Sequence, residues 1–424
     1  MVVSAGLRVM DANGQPATYG DSPGDVISMF PSMEQGDWWE ATSSAPTVPG
    51  LYYFTVESQD MQRQKAQFVL RDAPISVAAA PHQLTSGFLI NRSSNIYLIS
   101  ADWHRSRQLT FYPEFRAVAK DAVWSPDGKQ IVYSYAPPPA SDVEEPQSAI
   151  WLMNADGTAK HQLIPAAKDQ NLEAPQWSPD GKYIYFDTMK FLYDSQGNFT
   201  GQAWDLERYD LAASKRQTLI QNAQEPYISA AGSRMAYEEI LPEDSNAQQQ
   251  AALIPTLTNS AATTPLPQGS MRLMVAASDG SKPQQVIGGN QFVTYYAPKL
   301  SPDGKRIVFA AIGGPSNVAA QCASPLPPTP TPAAYKPVNG LAGPLYHGLL
   351  WDVWMVNTDG TGLTRLTAMS EDTPDPIWLN DSSHIAFIGV TGLYLIDLSK
   401  SSCVLTTLQT YSGASHSQLS WGGR

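Results

Sequence analysis

The sequence predicts an all-β protein in which a six-bladed β-propeller, closed end to end, follows a small immunoglobulin-like β-sandwich segment. Three observations lead to this prediction. The hexapeptide Trp-Ser-Pro-Asp-Gly-Lys at 124–129 returns at 177–182 and, with Leu in place of Trp, at 300–305. Short apolar runs rich in β-branched and aromatic residues follow every copy. No long stretch has helical periodicity, so the repeated unit consists of strands and turns.

Three weaker copies of the hexapeptide, at 228–233, 378–383 and 419–424, bring the number of repeats to six. Each of the first five copies ends a strand A and turns it into a strand B. A strand C, a turn of the type Asn-x-Asp-Gly and a strand D follow, as at 150–153 and 162–164. Units of four strands that repeat radially form a β-propeller.

The two ends of the repeat region are expected to build one blade together. Segment 419–424 supplies a strand A, whereas 87–111 supplies strands B, C and D without a preceding A. Pairing the two would close the ring and remove two open sheet edges. A seven-bladed alternative would need a hidden unit in 241–270 or 313–348, and both stretches are rich in Pro, Thr, Gln and Ala.

The hexapeptide, its apolar strands and the string Ile-Trp-Leu-Met-Asn-Ala-Asp-Gly at 150–157 resemble the WD40-like repeat of the TolB-type β-propellers. The resemblance covers residues 83–424 and implies the propeller fold. Relatives with this repeat include periplasmic binding scaffolds, the propellers of some serine peptidases and a few polysaccharide lyases. The resemblance therefore implies a fold and leaves the function open.

Residues 1–75 are expected to form a separate small β-sandwich, joined to the propeller by a linker at 76–82. The alternating stretch 49–57 resembles a late strand of an immunoglobulin-like domain. A full sandwich takes about 100 residues, so the segment is either a minimal version or one that lacks its first strands. If another molecule donates those strands, the protein self-associates through residues 1–75.

Composition limits the partners and the location. The formal net charge of −12 argues against binding nucleic acid or anionic lipid. Only 16% of residues are charged, while Trp, Tyr and Pro are plentiful, a mix that suits an extracellular protein. The N-terminus lacks the basic and apolar regions of a signal peptide, and no apolar run is long enough to span a membrane. We expect a mature or trimmed form of an exported protein that is secreted, periplasmic or on the cell surface.

The two cysteines give little information on the compartment. Cys322 lies in a Pro-rich loop and Cys403 at a C–D turn. These positions are expected on opposite faces of the propeller, where a disulfide forms only if the loop wraps around.

The B–C connections are expanded in four consecutive repeats, at 136–148, 189–202, 241–270 and 313–348. They emerge on the same face as the D–A loops, and insertions gathered on one face of a repeat fold usually mark the binding face. For 241–270 and 321–334, disordered decoration is an equal alternative. Aromatic, amide and charged residues of the D–A loops suit a peptide or glycan, although each of them would also fit a solvated rim. The candidate ligand-binding residues are Tyr112, Arg116, Asn171, Glu225, Tyr295, Tyr296, Asp372 and His416.

No catalytic or metal-binding motif is evident. The nearest string to a Gly-x-Ser-x-Gly nucleophile elbow, at 413–417, fails at its last position, and the six histidines are scattered. The aspartates of the hexapeptide, Asp127, Asp180 and Asp303, are expected to cap turns rather than to bind calcium. We therefore expect no cofactor and no metal.

The tryptophans that precede the turns should pack between adjacent blades. They are Trp124, Trp177, Trp378 and Trp421. The favoured function is a non-catalytic binding or assembly scaffold for a protein segment or a glycan. The alternatives are a structural subunit of a surface layer or filament, and a carbohydrate-active enzyme that uses Glu225 with Asp372 or Asp375.

Overall fold

The computed structural model describes the greater part of the chain, and every structural statement below concerns the residues it describes. They are 2–11, 13, 15–19, 22–23, 27–31, 39–40, 50–60, 65–77, 86–92, 95–100, 106–112, 117–138, 147–241, 271–288, 291–322, 351–369, 374–389, 392–400, 403–410 and 419–422. The chain divides into two compact units, a first unit of Met1–Pro165 with Ser420–Arg424 and a second unit of Ala166–Leu419. The described residues include no helix that is long and apolar enough to cross a membrane.

The N-terminal part of the first unit is a single antiparallel sheet with the strand order β5-β4-β1-β6-β7, accompanied by a two-stranded ribbon. The sheet strands are β1 Val2–Asp11, β4 Ile27–Pro31, β5 Trp39–Glu40, β6 Gly50–Asp60 and β7 Lys65–Val77, and the ribbon strands are β2 Thr18–Tyr19 and β3 Ser22–Pro23. Val9 and Tyr52 are buried together with Phe111, which follows the first strands of the repeat region. The described strands form one sheet here, so the sandwich and the domain boundary at 75 stay predictions.

Two four-stranded sheets of the repeat belong to the first unit. One contains β8 Phe88–Arg92, β9 Asn95–Ile99, β10 Ser106–Gln108 and β31 Ser420–Trp421; the other contains β11 Val118–Trp124, β12 Gln130–Ala136, β13 Ala149–Asn154 and β14 His161–Ile164. As predicted, the last strand pairs with β8, with Trp421 opposite Phe88.

Four more four-stranded sheets make up the second unit. Their strands are β15 Gln170–Trp177, β16 Tyr183–Tyr193, β17 Phe199–Asp210 and β18 Lys215–Gln221; β19 Ala223–Ile228, β20 Arg234–Ile240, β21 Met271–Ala277 and β22 Gln284–Ile287; β23 Thr294–Leu300, β24 Arg306–Ile312, β25 Trp351–Asn357 and β26 Thr364–Arg365; β27 Asp375–Trp378, β28 His384–Gly389, β29 Gly392–Asp397 and β30 Val404–Thr410. The first strand of each sheet contacts the first strand of the next. An all-β chain of four-stranded antiparallel sheets, one at each predicted copy, matches the expected fold class.

The hexapeptide forms the turn that its sequence predicts. In the first copy, Ser125 Oγ donates to Asp127 Oδ1 at 2.7 Å, and the peptide NH of Lys129 donates to the same carboxylate oxygen at 3.1 Å. Gly128 adopts a φ of 67°, a value that glycine reaches without steric cost. Asp180 and Asp303 make the same contacts with Ser178 and Ser301. Because these carboxylates are engaged by their own turns, the prediction of turn chemistry is confirmed.

Aromatic residues fill the space between neighbouring sheets, as predicted for the repeat tryptophans. The indole NH of Trp378 donates to the carbonyl oxygen of Lys299 in the preceding sheet at 3.0 Å. Trp124 donates in the same way to Gly87 in the first unit, at 3.1 Å. Trp124 and Trp378 are therefore held by packing and by one hydrogen bond each, whereas the indole NH of Trp177 is buried without a hydrogen-bond partner among the described residues.

The prediction that Cys322 and Cys403 lie on opposite faces is wrong, because they form a disulfide with a Cα–Cα distance of 4.7 Å. The segment before Cys322 folds back beside β26. The peptide NH groups of Gln321 and Cys322 donate to the carbonyl oxygens of Arg365 and Leu366, at 2.9 and 3.0 Å. The loop therefore wraps around to the outer strand of its own sheet, next to the C–D turn of the following sheet.

Candidate functional site

Five of the eight predicted ligand-binding residues lie in the described part of the chain. Arg116, Asp372 and His416 lie outside it. Tyr112 belongs to the first unit, and the remaining four are in the second unit. Those four are Asn171, Glu225, Tyr295 and Tyr296.

Tyr112 is held by its own unit. Its ring stacks on Tyr135, with centroids 3.9 Å apart and an interplanar angle of 16°. Its hydroxyl lies 3.0 Å from that of Tyr133, and its peptide NH donates to Asn95 Oδ1 at 2.8 Å. Burial raises the pKa of Tyr112. These contacts fix the loop after β10 onto the sheet that begins with β11.

Tyr295 and Tyr296 were expected together at the binding face, and the structure separates them. Successive residues of a strand point to opposite sides of the sheet. Tyr295 is 2% exposed and packs edge-on against Phe292 and Phe309, so it is a core residue and that expectation is wrong. Tyr296 is half-buried and packs against a second apolar cluster, which contains Trp351. Asn171 is also buried.

Glu225 lies at a bulge that recurs in the first strands of successive sheets. The pairing of β11, β15, β19 and β23 with the next strand shifts register at equivalent positions. The left-handed residues at these bulges are Asp121, Ala174, Glu225 and Ala297, with φ values of 57, 47, 54 and 56°. A left-handed conformation costs a non-glycine residue roughly 1–2 kcal/mol. Such strain persists only where the surroundings hold it in place.

Buried carboxylates from the preceding sheet hold two of these bulges. The peptide NH of Glu225 donates to Asp187 Oδ2 at 3.1 Å. The peptide NH of Ala297 likewise favours the charged form of Glu238. Asp187 and Glu238 follow the buried aromatic residue of β16 and β20, respectively. The acids therefore join one sheet to the next at the inner strands.

Glu238 is the most strongly perturbed acid of this cluster. Its side chain is fully buried, and Oε2 accepts a hydrogen bond of 2.8 Å from Gln224 Nε2. Burial raises its pKa to about 8, and the negative charge of Asp187 adds to this rise. Gln224 and the positive charge of Lys299 act in the opposite direction but do not offset burial. Glu238 is therefore largely protonated at neutral pH.

Lys299 and Asp375 form the second part of the cluster. The Lys299 side chain is 3% exposed, and its Nζ lies 4.0 Å from Asp375 Oδ1 and 5.5 Å from the centroid of the Tyr227 ring. Asp375 Oδ2 accepts a hydrogen bond from the peptide NH of Leu419. Burial, reinforced by Asp375, raises the pKa of Tyr227 to about 12. Asp375 was a candidate catalytic carboxylate, and the structure places it instead in an internal ion pair.

The polar groups of this cluster are buried and are engaged mainly by one another, although Glu238 Oε1 has no hydrogen-bond partner among the described residues. The cluster links β19, β20, β23 and β27. Buried charges require such pairing, because an isolated buried charge is costly. In the described ranges, no group of three His, Cys, Asp or Glu side chains is arranged to hold a metal ion.

The connection 189–202 of the second unit is exposed to solvent over most of its length, and the sequence predicts a loop there. The structure corrects this expectation, because β16 and β17 continue to pair beyond the sheet as far as Tyr193 opposite Phe199. Asp194 closes the turn by accepting hydrogen bonds from the peptide NH groups of Gln196 and Asn198, at 2.9 and 2.8 Å. We call residues 190–202 the hairpin tip.

Apolar side chains of the hairpin tip are open to solvent. Leu192, Tyr193 and Phe199 are 43, 48 and 57% exposed, and in the described part of the chain only Val404 joins them as an exposed large hydrophobic residue. The ring centroids of Tyr193 and Phe199 are 6.1 Å apart, in edge-to-face geometry. Aromatic residues flank a turn that contains Asp194 and Gly197, and this pattern is typical of a β-hairpin. The sequence prediction of a loop missed it.

Comparisons with known proteins find structural neighbours only. No protein-family model matches the chain, and no curated protein is found as a relative. TolB from Acinetobacter baumannii is 13% identical over 90% of this chain and 81% of its own, with a TM-score of 0.49. An oligogalacturonate lyase in complex with manganese is 14% identical over 74% of this chain and 70% of its own, with a TM-score of 0.42. An acylaminoacyl peptidase from Pyrococcus horikoshii is 10% identical over 82% of this chain and 44% of its own, with a TM-score of 0.39.

Proposed function

We propose that this protein is a non-catalytic scaffold that acts outside the cytoplasm and holds a segment of a partner protein at the hairpin tip. In this proposal the six four-stranded sheets are the blades of one TolB-like propeller, and the tip projects from the face that bears the expanded B–C connections. The observation that carries the proposal is the group of solvent-exposed apolar side chains on an ordered β-hairpin. A glycan is the other ligand considered, and the exposed apolar side chains favour a protein segment.

The energetics favour a covered tip. Single exposed apolar residues are ordinary on protein surfaces, whereas apolar residues that cluster within a polar rim usually mark an interaction site. Phe199 packs against Tyr193 and the half-buried Phe191 on one face of the hairpin, with ring centroids 6.1 and 6.4 Å apart, whereas Leu192 alternates to the other face. Exposed Asp194 and Asn198 border this group. Covering the remaining exposed half of each side chain would contribute about 1 kcal/mol per residue at the usual area coefficient. That gain is comparable with the contribution of a modest interface residue.

The distribution of charge supports binding over catalysis. A hydrolase or lyase needs acids and bases that reach its substrate. Of the acids considered for an enzyme, Asp375 is instead buried and paired with Lys299, and Glu225 is half-buried. The carbohydrate-active enzyme and the surface-layer subunit remain untested predictions.

The proposal is tested by photo-crosslinking. A photoreactive phenylalanine analogue at position 193 is expected to capture a defined protein from the envelope fraction of the source cells. The matched control carries the analogue at position 404, because Val404 is also exposed but lies on the outer strand of another sheet. The double variant Leu192→Ser with Phe199→Ser should abolish capture at position 193 without changing the melting temperature. Equal capture at 193 and 404, or labelling of lipid alone, contradicts the proposal.

A further inference from the structure

We infer that the partner segment binds as an added β-strand along the outer edge of β17, over residues 199–204. The inference rests on the proposed function and specifies its mode. An exposed sheet edge offers unpaired NH and carbonyl groups, and an extended peptide that pairs with it gains affinity from its main chain.

The edge is created by the unequal lengths of the strands in this sheet. β18 pairs with β17 only from Asp205, opposite Gln221, to Asp210, opposite Lys215. On its other side, β17 stays paired with β16 as far as Phe199. Among the described strands, none pairs with the outer side of 199–204. The regular part of this edge is 201–204, because the register shifts at Thr200 and Gly201 has a φ of 153°.

This edge is short and its pairing is irregular at Thr200, but it lacks the side chains by which proteins normally block edge pairing. Lysine, other charged residues and proline are the usual guards. The segment 199–204 reads Phe-Thr-Gly-Gln-Ala-Trp and contains none of them. The outermost strand β18, by contrast, begins with Lys215 and Arg216, and Arg216 pairs with Glu207 at 2.8 Å. The outer edge of the sheet at β18 therefore carries charged side chains that oppose edge pairing, whereas the short edge at the hairpin tip carries none.

The geometry of the edge defines the partner segment. The four residues 201–204 beyond the irregularity span about 13 Å, so a short extended segment would pair with them. No atom lies within 4 Å of the position that a Cβ on Gly201 would occupy, so a side chain of the partner has room there. Phe199, 57% exposed at one end of the edge, offers an apolar contact for a side chain of the added strand.

Charge favours another protein over a second copy of this chain. Two copies would each bring a formal net charge of −12, and like-charged surfaces slow association. A neutral or basic segment would approach the same surface without that repulsion. The expected occupant is therefore an extended, neutral or basic segment of a different protein.

The test selects peptides from a displayed library of random ten-residue sequences on the intact chain. Enriched peptides are expected to be neutral or basic and rich in β-branched residues. They should slow the hydrogen exchange of the amides in 199–204 that face outward. The double variant Thr200→Lys with Gln202→Lys, which guards the edge, should weaken these peptides at least about tenfold, equivalent to about 1.4 kcal/mol. The matched control Thr218→Lys, an exposed position on the guarded strand, should bind them as the unmodified chain does.

The outcomes separate this inference from the proposed function. If a protein crosslinks at position 193 but no amide in 199–204 is protected, the proposed function stands and strand addition is overturned. Equal binding by the guarded variant, or no enrichment from the library, also overturns strand addition. If capture at position 193 fails as well, both fall. A complex that contains only copies of this chain, with 199–204 protected, would keep the edge but refute the choice of a different protein.

Discussion

Replacing Glu238 with Gln should remove a pH-dependent penalty on the stability of the second unit. Glu238 is fully buried, and its pKa is about 8 in the folded protein against an ordinary value of 4.5. Between these two values the unfolded chain ionises this group while the folded chain keeps the proton. The free energy of unfolding therefore falls as pH rises from about 4.5 to about 8 and is constant above that. At 1.36 kcal/mol per pH unit, the full effect is about 5 kcal/mol.

The magnitude is an upper limit for the substitution, because the neighbours of Glu238 also respond. Gln224 keeps a hydrogen-bond acceptor when Gln occupies position 238, whereas Lys299 loses a negative charge and retains only Asp375. We therefore expect Glu238→Gln to be more stable than the native chain at pH 8 by a few kcal/mol. At pH 4.5 the two should be equally stable.

The assay is thermal or urea unfolding, followed by circular dichroism at half-unit steps from pH 4.5 to 8.5. Glu239→Gln is the matched control, because Glu239 is the next residue of the same strand, partly exposed and paired with Arg272 at 3.3 Å. It should keep the pH slope of the native chain. The reasoning is refuted if Glu238→Gln shows the native slope, or if Glu239→Gln abolishes it.

Three further predictions follow from the fold. Reduction, or Cys322→Ser with Cys403→Ser, should lower stability by about 4 kcal/mol, because the bridge closes a loop of 81 residues; the measurement is the melting temperature with and without reductant. Asp127→Ala should cost about 1 kcal/mol by removing two turn hydrogen bonds, with no change in crosslinking at the hairpin tip. Ala297→Gly should stabilise by up to about 1 kcal/mol by relieving its left-handed conformation, whereas Ala310→Gly in the core of the next strand should destabilise; urea unfolding of both variants distinguishes strain from packing.

Most of the fold could be predicted because the signals are local. The hexapeptide combines a serine, an aspartate and a glycine at the spacing that closes a tight turn, so each copy marks the end of one strand and the start of the next. The pairing of the last strand with β8 was predictable for a related reason, since the first three strands lacked a partner. Whether the six sheets close into one ring remains a prediction.

The errors arose where contacts between distant parts of the chain decide the outcome. Cys322 reaches Cys403 because the loop returns to pair with Arg365 and Leu366, a route that composition cannot reveal. Tyr295 and Tyr296 were predicted to lie together on the basis of residue type alone. The side of β23 that each residue faces depends on the bulge at Ala297. None of the left-handed residues at the four bulges is a glycine, so the sequence contains no local signal for them.

The candidate site at the hairpin tip was the least predictable element, because residue types alone did not indicate which side chains are exposed. Tyr295 was expected at a binding face and Asp375 in a catalytic pair, yet both side chains are buried, and Asp375 pairs with Lys299 of the neighbouring sheet. Phe199 belongs to a connection that was expected to be an expanded loop of the binding face, and it is exposed on a hairpin that extends past its sheet. Burying acids costs free energy that pairing must offset, and exposing aromatic residues forgoes the gain from burial. Contacts within the chain engage the buried acids, apart from Glu238 Oε1, which has no hydrogen-bond partner among the described residues. The exposed apolar side chains of the tip are left open to solvent in the described part of the chain. That difference is the reason to look for the partner at the hairpin tip rather than at the polar cluster.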